Sequence, residues 1–279
     1  MMYSNIVSTK ELFEQRTNPK WIVFDCRFNV TRPHWGAEQY RSGHIPGAFY
    51  CNLDNDLSSP PTPNSGRHPL PNPQDLATKL AAWGVSNDSQ VVVYDESVGA
   101  VAARMWWELR WLGHTSVAVL DGGLVQWNEA GYPLTTELPK VKAKGNFQPH
   151  PNNDLWVSVA EVERIREDDQ TVLIDARSRV RFSGEQEQVD AVGGHIPGAL
   201  NRPLTDNIDD NGCFLPAEQL RNYYQPLCGE RTIHYCGSGV TACHNLLAME
   251  LAGLGLQQLY VGSWSEWIRS ADRPIAKGD

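Results

Sequence analysis

The chain has 279 residues, of which 41% are hydrophobic and 20% charged, and its formal net charge at pH 7 is -9. This length is enough for two ordinary domains, each with its own core. The negative charge disfavours nucleic acid as a ligand. No apolar run reaches the roughly 18 residues of a membrane span, and the N-terminus lacks the basic and apolar regions of a secretory leader. We therefore expect a protein that binds neither nucleic acid nor membranes.

The six cysteines are scattered along the chain and form no C-x-x-C pair. In a chain of this length, that pattern argues for reduced thiols in the cytoplasm, and against a disulfide framework or a zinc site. We predict no metal site of any kind. The cysteines are Cys26, Cys51, Cys213, Cys228, Cys236 and Cys243.

The first half of the chain alternates short apolar runs with helical segments. Ser8 and Glu11 are spaced as a capping box at a helix start, and Gly43 opens the motif GHIPGA, which a loop rich in Pro, Ser and Asn follows at 57–73. Compact runs that end at an acid are typical of buried parallel strands. The predicted strands are 21–25, 90–95 and 116–120, and the predicted helices are 73–83, 100–112 and one that opens at 121–127.

The second half repeats this order, so we predict a duplicated domain. Four segments match in sequence: 171–175 answers 21–25, 194–199 answers 43–48, 232–236 answers 91–95, and 259–267 answers 119–127. A period above a hundred residues indicates two whole domains, not a solenoid. We predict domains at 1–138 and 154–279, joined by an exposed linker at 139–153 that is rich in Lys, Pro and Asn.

Alternating strands and helices indicate an α/β fold, with a mostly parallel sheet in each half and helices on both of its faces. In such sheets, ligands bind at the carboxyl ends of the strands. Asp25, Asp95, Asp175 and Cys236 all fall at strand ends of this kind. The sequence therefore predicts a site at this edge of a sheet.

Cys236 begins the most informative stretch of the chain, CGSGVTA at 236–242. Gly237 and Gly239 allow the backbone to curl with its amides inward, and the following helix adds a positive dipole. A thiolate held by such amides is a nucleophile; the alternative is a buried apolar cysteine at a strand end. Because the first half carries Asp95 at the matching position, we expect it to be non-catalytic.

Together these motifs resemble the two-domain rhodanese family of sulfurtransferases. The resemblance implies two tandem rhodanese-like domains and a sulfur atom carried as a persulfide on Cys236, with no organic cofactor. It also implies that the outer sulfur is bound by the loop amides, at Gly237, Gly239, Val240, Thr241 and Ala242. The loop is similar to that of the 3-mercaptopyruvate branch, since the thiosulfate branch typically has two basic residues where Gly237 and Ser238 stand.

Four further residues take roles from the same resemblance. Arg181 matches the family's anion-binding arginine, and a guanidinium binds a carboxylate well; the alternative is an arginine that only solvates a loop. Ser238, His68 and Asp54 match a Ser-His-Asp proton relay, although a histidine in such a loop is more often a surface residue. His68 and Asp54 belong to the first half, so the implied site draws on both halves of the sequence.

The sequence departs from the 3-mercaptopyruvate branch at one point. That branch usually has a second arginine between the one matched by Arg181 and the next His-Ile-Pro-Gly motif. Here the stretch 183–190, SGEQEQVD, is short, acidic and without a basic residue. The pattern leaves open which group replaces this arginine.

Several functional alternatives remain at this point. A cysteine phosphatase would need an arginine at the position of Ala242, so we exclude it. Thiosulfate as the donor, or a persulfide carrier that serves one protein partner without turnover, stays possible. The predicted partners are a small-molecule sulfur donor and an acceptor that is cyanide, a small thiol or a thioredoxin-like protein; the predicted oligomeric state is a monomer.

Overall fold

A computed structural model describes residues 2–141 and 143–278. Met1, Lys142 and Asp279, which fall in the predicted first domain, linker and second domain, lie outside the described residues. The chain forms two compact units. Unit 1 holds the described residues up to Ser59, with Pro71–Asn152 and Asp209–Cys213; unit 2 holds Pro60–Leu70, Asn153–Ile208 and the described residues from Phe214 onward.

The short segment 60–70 therefore packs with residues far from it in sequence. The chain leaves unit 1 after Ser59 and rejoins it at Pro71. His68, which lies in the first half of the sequence, thus belongs to the same compact unit as Cys236. The boundary after Asn152 falls inside the predicted linker, and the predicted bounds of the continuous domains stay a prediction.

Unit 1 contains a five-stranded sheet in which all paired strands are parallel, in the order β1-β5-β4-β2-β3. The capping box at Ser8 and Glu11 is confirmed, and Asn72 caps the helix that starts at Pro73. The elements are β1 (Ile6–Val7), α1 (Thr9–Gln15), β2 (Trp21–Asp25), α2 (Trp35–Ser42), β3 (Phe49–Tyr50), α3 (Pro73–Ala82), β4 (Gln90–Tyr94), α4 (Ala102–Trp111), β5 (Val117–Leu120) and α5 (Gly123–Glu129).

Unit 2 repeats this topology, with a five-stranded parallel sheet in the order β6-β10-β9-β7-β8. The predicted α/β class and the duplication are confirmed. No helix among the described residues is long and apolar enough to cross a membrane. The elements are β6 (Trp156–Val157), α6 (Val159–Ile165), β7 (Thr171–Asp175), α7 (Arg179–Ser183), β8 (Leu200–Asn201), α8 (Ala217–Tyr224), β9 (Arg231–Tyr235), α9 (Ala242–Leu251), β10 (Gln258–Tyr260) and α10 (Ser263–Trp267).

Helices cover both faces of the sheet in unit 2, as the side chains of β9 demonstrate. Ile233 and Tyr235 belong to a core cluster that also includes Trp264 of α10. His234 points the other way, and its Nε2 lies 2.9 Å from the sulfur of Met249 on α9. Because successive strand residues face opposite sides of a sheet, β9 is buried on both.

The residues shared by the two halves form a repeated scaffold. His44 stacks on Tyr40 with ring centroids 3.9 Å apart, and His195 stacks on Phe182 at 3.7 Å. Each histidine Nδ1 lies within hydrogen-bond distance of the backbone carbonyl of its stacking partner. Each histidine thus makes the same local contacts in its own copy of the domain.

Asp25 and Asp175 likewise bind the arginine two residues on. Each carboxylate accepts the backbone N–H of that arginine and a 2.6 Å bond from its Nη2. The pairing is the same in both copies of the domain. The arginines, Arg27 and Arg177, are thus structural parts of the two sheet edges.

The burial of His234 makes the stability of unit 2 depend on pH. Burial lowers the pKa of His234 from 6.5 to about 3, so the folded protein holds this side chain neutral. As pH falls below about 6.5, the unfolded state gains a proton that the folded state does not. The free energy of unfolding then falls by up to about 1.4 kcal/mol per pH unit from this group. For His234→Leu, the free energy of unfolding measured in urea should fall less steeply with pH between pH 6.5 and 5 than it does for the wild-type chain. An equal pH dependence in the two proteins would contradict a buried neutral His234.

Candidate active site

Cys236 directly follows β9 and begins the loop that leads into α9. Its residue surface is only 1% exposed. Its backbone N–H donates a 3.1 Å hydrogen bond to Oγ of Ser263, and its carbonyl accepts a 3.0 Å bond from the N–H of Trp264. The predicted strand, loop and helix are thus present, and the start of α10 holds the backbone of the cysteine.

Gly239 is required by the path of the loop. Its φ is +74°, and a Cβ placed on it would lie 2.3 Å from the carbonyl oxygen of Val261. A side chain would therefore meet both a left-handed backbone and a fixed backbone atom. The loop touches the end of β10 at this point because it carries a glycine.

The matching loop of unit 1 binds its own carboxylate. Asp95 stands where the second copy has Cys236, and its carboxylate accepts four backbone hydrogen bonds of 2.7 to 2.9 Å. Val98, at the position of Gly239, has a φ of 56°, so the two loops share their unusual turn. The first copy thus keeps a ring of amides and fills it with an anion. The donating residues are Ser97, Gly99, Val101 and Ala102.

Two arginines of unit 2 lie beside Gly237. A Cβ on this glycine would be 3.0 Å from Nη2 of Arg67, and 3.4 and 3.7 Å from the two Nη atoms of Arg181. The side chains of Arg67 and Arg181 are 25% and 24% exposed, so neither is fully buried. The cations absent from the cysteine loop are therefore supplied by two other segments.

Carboxylates of the acidic stretch bind this pair of arginines. Asp190 pairs with Arg67 through one oxygen, and with Nη2 of Arg181 through the other at 2.9 Å. Glu187 binds Nε of Arg181 at 3.0 and 3.1 Å. Burial opposes the ionisation of Glu187, but hydrogen bonds from Arg181 and from the backbone of Asp190 and Val189 outweigh it and lower its pKa.

His68 and Ser238 form the part of the predicted relay that lies within unit 2. Nδ1 of His68 is 2.7 Å from Oγ of Ser238, and each residue is 6% exposed. His68 is therefore a buried residue, not a surface one. Its segment is fixed by close backbone packing of Gly66 on Gly262, and by a 3.0 Å bond from the N–H of Arg67 to Ser265.

The other predicted site residues lie as follows. Asp54 is an exposed residue of unit 1, in a turn where its N–H donates to Oδ1 of Asn52 at 3.0 Å; its part in the relay stays a prediction. Val240 and Ala242 follow Cys236 in the loop sequence and are buried. Thr241 is the residue before α9.

Sequence reasoning missed two residues of this site. Arg67 directly precedes His68, and no local pattern indicates its proximity to Gly237. Ser263 has a φ of 54°, the same conformation as Gly123 at the matching point of the first copy. A serine where the first copy has a glycine was a signal available in the sequence.

The packing of Gly239 can be tested against a glycine of the same conformation. Gly255 has a φ of +76° but no atom within 4 Å of its added Cβ. Gly255→Ala should cost about 1 kcal/mol for its left-handed backbone. Gly239→Ala should cost about 2 kcal/mol more, because the methyl group meets a backbone oxygen. Urea unfolding of both variants measures the difference; equal costs would contradict the contact with Val261.

Comparisons with known proteins identify the family of this chain. The family model of the rhodanese-like domain matches residues 8–130 and 158–270. A Pseudomonas aeruginosa protein named "Probable 3-mercaptopyruvate sulfurtransferase" is 46% identical over 285 residues, covering 100% of both chains. The thiosulfate sulfurtransferase of Rattus norvegicus is 33% identical over 285 residues, covering 97% of this chain and 94% of its own.

A solved structure gives the same result. The 3-mercaptopyruvate sulfurtransferase of Leishmania major superimposes with a TM-score of 0.83 at 28% identity, and covers 98% of this chain and 76% of that one. The chain therefore belongs to the rhodanese-like family, as a two-domain sulfurtransferase.

Proposed function

We propose that this chain transfers the sulfur of 3-mercaptopyruvate, through a persulfide on Cys236, to a thiol or cyanide acceptor. The observation that carries the choice of donor is the pair of guanidinium groups beside Gly237. A donor whose charge lies on a carboxylate several bonds from its sulfur needs its cations away from the cysteine loop. Arg67 and Arg181 meet that need, and they supply the two-point contact that the acidic stretch 183–190 lacks.

In the first half-reaction, the Cys236 thiolate attacks the sulfur of the donor. A sulfur–sulfur bond forms, the carbon–sulfur bond breaks, and its electron pair leaves as the enolate of pyruvate. The enolate takes up one proton, and the proton of the donor's thiol is released, so the cysteine is left as a persulfide. Arg67 and Arg181 hold the carboxylate throughout, which orients the sulfur toward Cys236.

The hydrogen-bonded pair of His68 and Ser238 suits the proton transfer. A buried serine hydroxyl 2.7 Å from an imidazole nitrogen can pass a proton between the leaving group and the histidine. We assign Asp54 the third position of this relay by family resemblance alone.

The persulfide requires an environment that favours an anion. The Asp95 loop of unit 1 supports this assignment, because its amides bind a carboxylate with four hydrogen bonds. We propose that the amides of Gly237, Gly239, Val240, Thr241 and Ala242 bind the outer sulfur; of the four donors to Asp95, Gly99 and Val101 correspond to Val240 and Ala242. No metal or organic cofactor takes part in this scheme.

The second half-reaction returns the cysteine to its thiolate. An acceptor nucleophile attacks the outer sulfur, the sulfur–sulfur bond breaks, and the electron pair returns to Cys236. We propose cyanide, small thiols and thioredoxin-like proteins as acceptors, and a monomeric enzyme in the cytoplasm; all six cysteines are free thiols in the structure, which suits that compartment.

The donor and the nucleophile are tested together. Mercaptopyruvate should be turned over with cyanide as acceptor at a kcat/KM at least about tenfold above that for thiosulfate, the effect of one charge-assisted hydrogen bond to the carboxylate. Mass spectrometry after mercaptopyruvate treatment should detect one added sulfur atom on the wild-type chain.

Two variants provide the controls. Cys236→Ser should gain no sulfur, whereas Cys243→Ser, which replaces another buried thiol of the same unit, should gain it normally. A clear preference for thiosulfate would contradict the proposed donor. A sulfur adduct that persists in Cys236→Ser would contradict Cys236 as the nucleophile. Sulfur transfer to one protein partner alone would favour the alternative of a persulfide carrier without turnover.

The relay predicts coupled losses. Ser238→Ala and His68→Gln should each lower kcat for mercaptopyruvate by about a hundredfold, as loss of a proton-transfer group does. Because both act in one step, the double variant should be no slower than the slower single one. Steady-state kinetics measures this cycle, and losses that multiply would contradict a shared relay.

A further inference from the structure

We propose that Asp190 is an internal carboxylate that competes with the donor for Arg67 and Arg181, and that it sets which donors the enzyme accepts. This inference rests on the proposed function, in which the arginine pair binds the carboxylate of the donor. It concerns a residue that no local motif indicates, in the acidic stretch where a basic residue was expected.

The contacts of Asp190 are those that a bound carboxylate would make. Its two oxygens bind two different guanidinium groups, one on Arg67 and one on Arg181. Both of these groups also flank Gly237, the residue after the cysteine. The side chain of Asp190 is 3% exposed, whereas each arginine side chain is about a quarter exposed. The carboxylate is therefore more deeply buried than the two arginine side chains that it joins.

The position of Asp190 is built by its own loop. Glu187 accepts the backbone N–H groups of Val189 at 2.8 Å and Asp190 at 3.0 Å, which turns the chain toward the arginines. Glu187 also binds Arg181, and it lies 3.5 Å from Nη1 of Arg177. Asp190 is thus held by a buried network, and its contact with the arginines is a feature of the fold.

The charges around the arginine pair determine which donor anions bind there. Asp190 and Glu187 bring two negative charges to the two positive charges of Arg67 and Arg181, so the pair presents little net charge to an incoming anion. A single carboxylate can enter by exchanging with Asp190, which keeps each guanidinium paired. A compact dianion such as thiosulfate brings a second negative charge close to both carboxylates. Its attraction to the arginines is offset by this repulsion, so it binds less favourably than a single carboxylate does. Asp190 therefore selects against small dianions.

Asp190→Asn tests this selection, because it keeps the shape and removes the charge. In a Cys236→Ser background, calorimetry should measure pyruvate binding about tenfold tighter with Asn at position 190, the effect of one charge-assisted hydrogen bond. In the otherwise wild-type chain, kcat/KM for thiosulfate should rise by a larger factor than kcat/KM for mercaptopyruvate.

Glu161→Gln is the matched control. Glu161 pairs with Arg231 at 2.6 Å in the same unit, at the amino end of β9, whereas Cys236 follows its carboxyl end. This variant should leave pyruvate binding and the ratio of the two donors unchanged. Thermal unfolding of both variants verifies that they are folded, and Asp190→Ser serves as a second variant if Asp190→Asn does not fold.

The outcomes separate the inference from the proposed function. Weaker pyruvate binding in Asp190→Asn would overturn the inference, since Asp190 would then be a support that orients the arginines. An unchanged donor ratio would also overturn it. A wild-type chain that does not turn over mercaptopyruvate would refute the proposed function, whereas tighter pyruvate binding in Asp190→Asn would still support the competition at the arginine pair.

Discussion

The site depends on one close approach, between the loop after β9 and the junction of β10 with α10. Gly239 lies against the carbonyl of Val261, and Ser263 and Trp264 bind the backbone of Cys236. These contacts fix the loop before any substrate enters, so the thiol does not have to be ordered during the reaction. The same junction packs on Gly66, which brings His68 and Arg67 into unit 2.

Duplication explains how such a strained loop is used in two ways. Both copies share the parallel sheet, the stacked histidine and the positive-φ turn. In the first copy the ring of amides is satisfied by the side chain of Asp95, which accepts four backbone hydrogen bonds. In the second copy a cysteine stands there. One scaffold therefore serves as a stable, filled anion site in unit 1 and as a candidate reaction site in unit 2.

The charged groups around the Cys236 loop belong to segments that are distant from it in sequence. Gly237 leaves room for the guanidinium groups of Arg67 and Arg181, which approach from two other segments. Acidic residues of the loop 187–190 balance these cations, which offsets the repulsion between two adjacent arginines. The acidic character of this stretch, which looked like the loss of a binding residue, is therefore part of how the arginine pair is built.

The sequence by itself determined the fold class, the duplication and the loop of Cys236, because short-range patterns encode them. Buried parallel strands such as 21–25 and 171–175 are continuous apolar runs, and Gly237 and Gly239 mark the turn after β9. The first copy's Asp95 also indicated which half retains the thiol. Only the tertiary structure decided which charges surround that thiol. Arg67 pairs with Asp190, more than a hundred residues away in sequence, because the segment 60–70 packs within unit 2. Contacts of this kind leave no periodicity or spacing in the sequence, since they depend on where the folded elements bring distant side chains together.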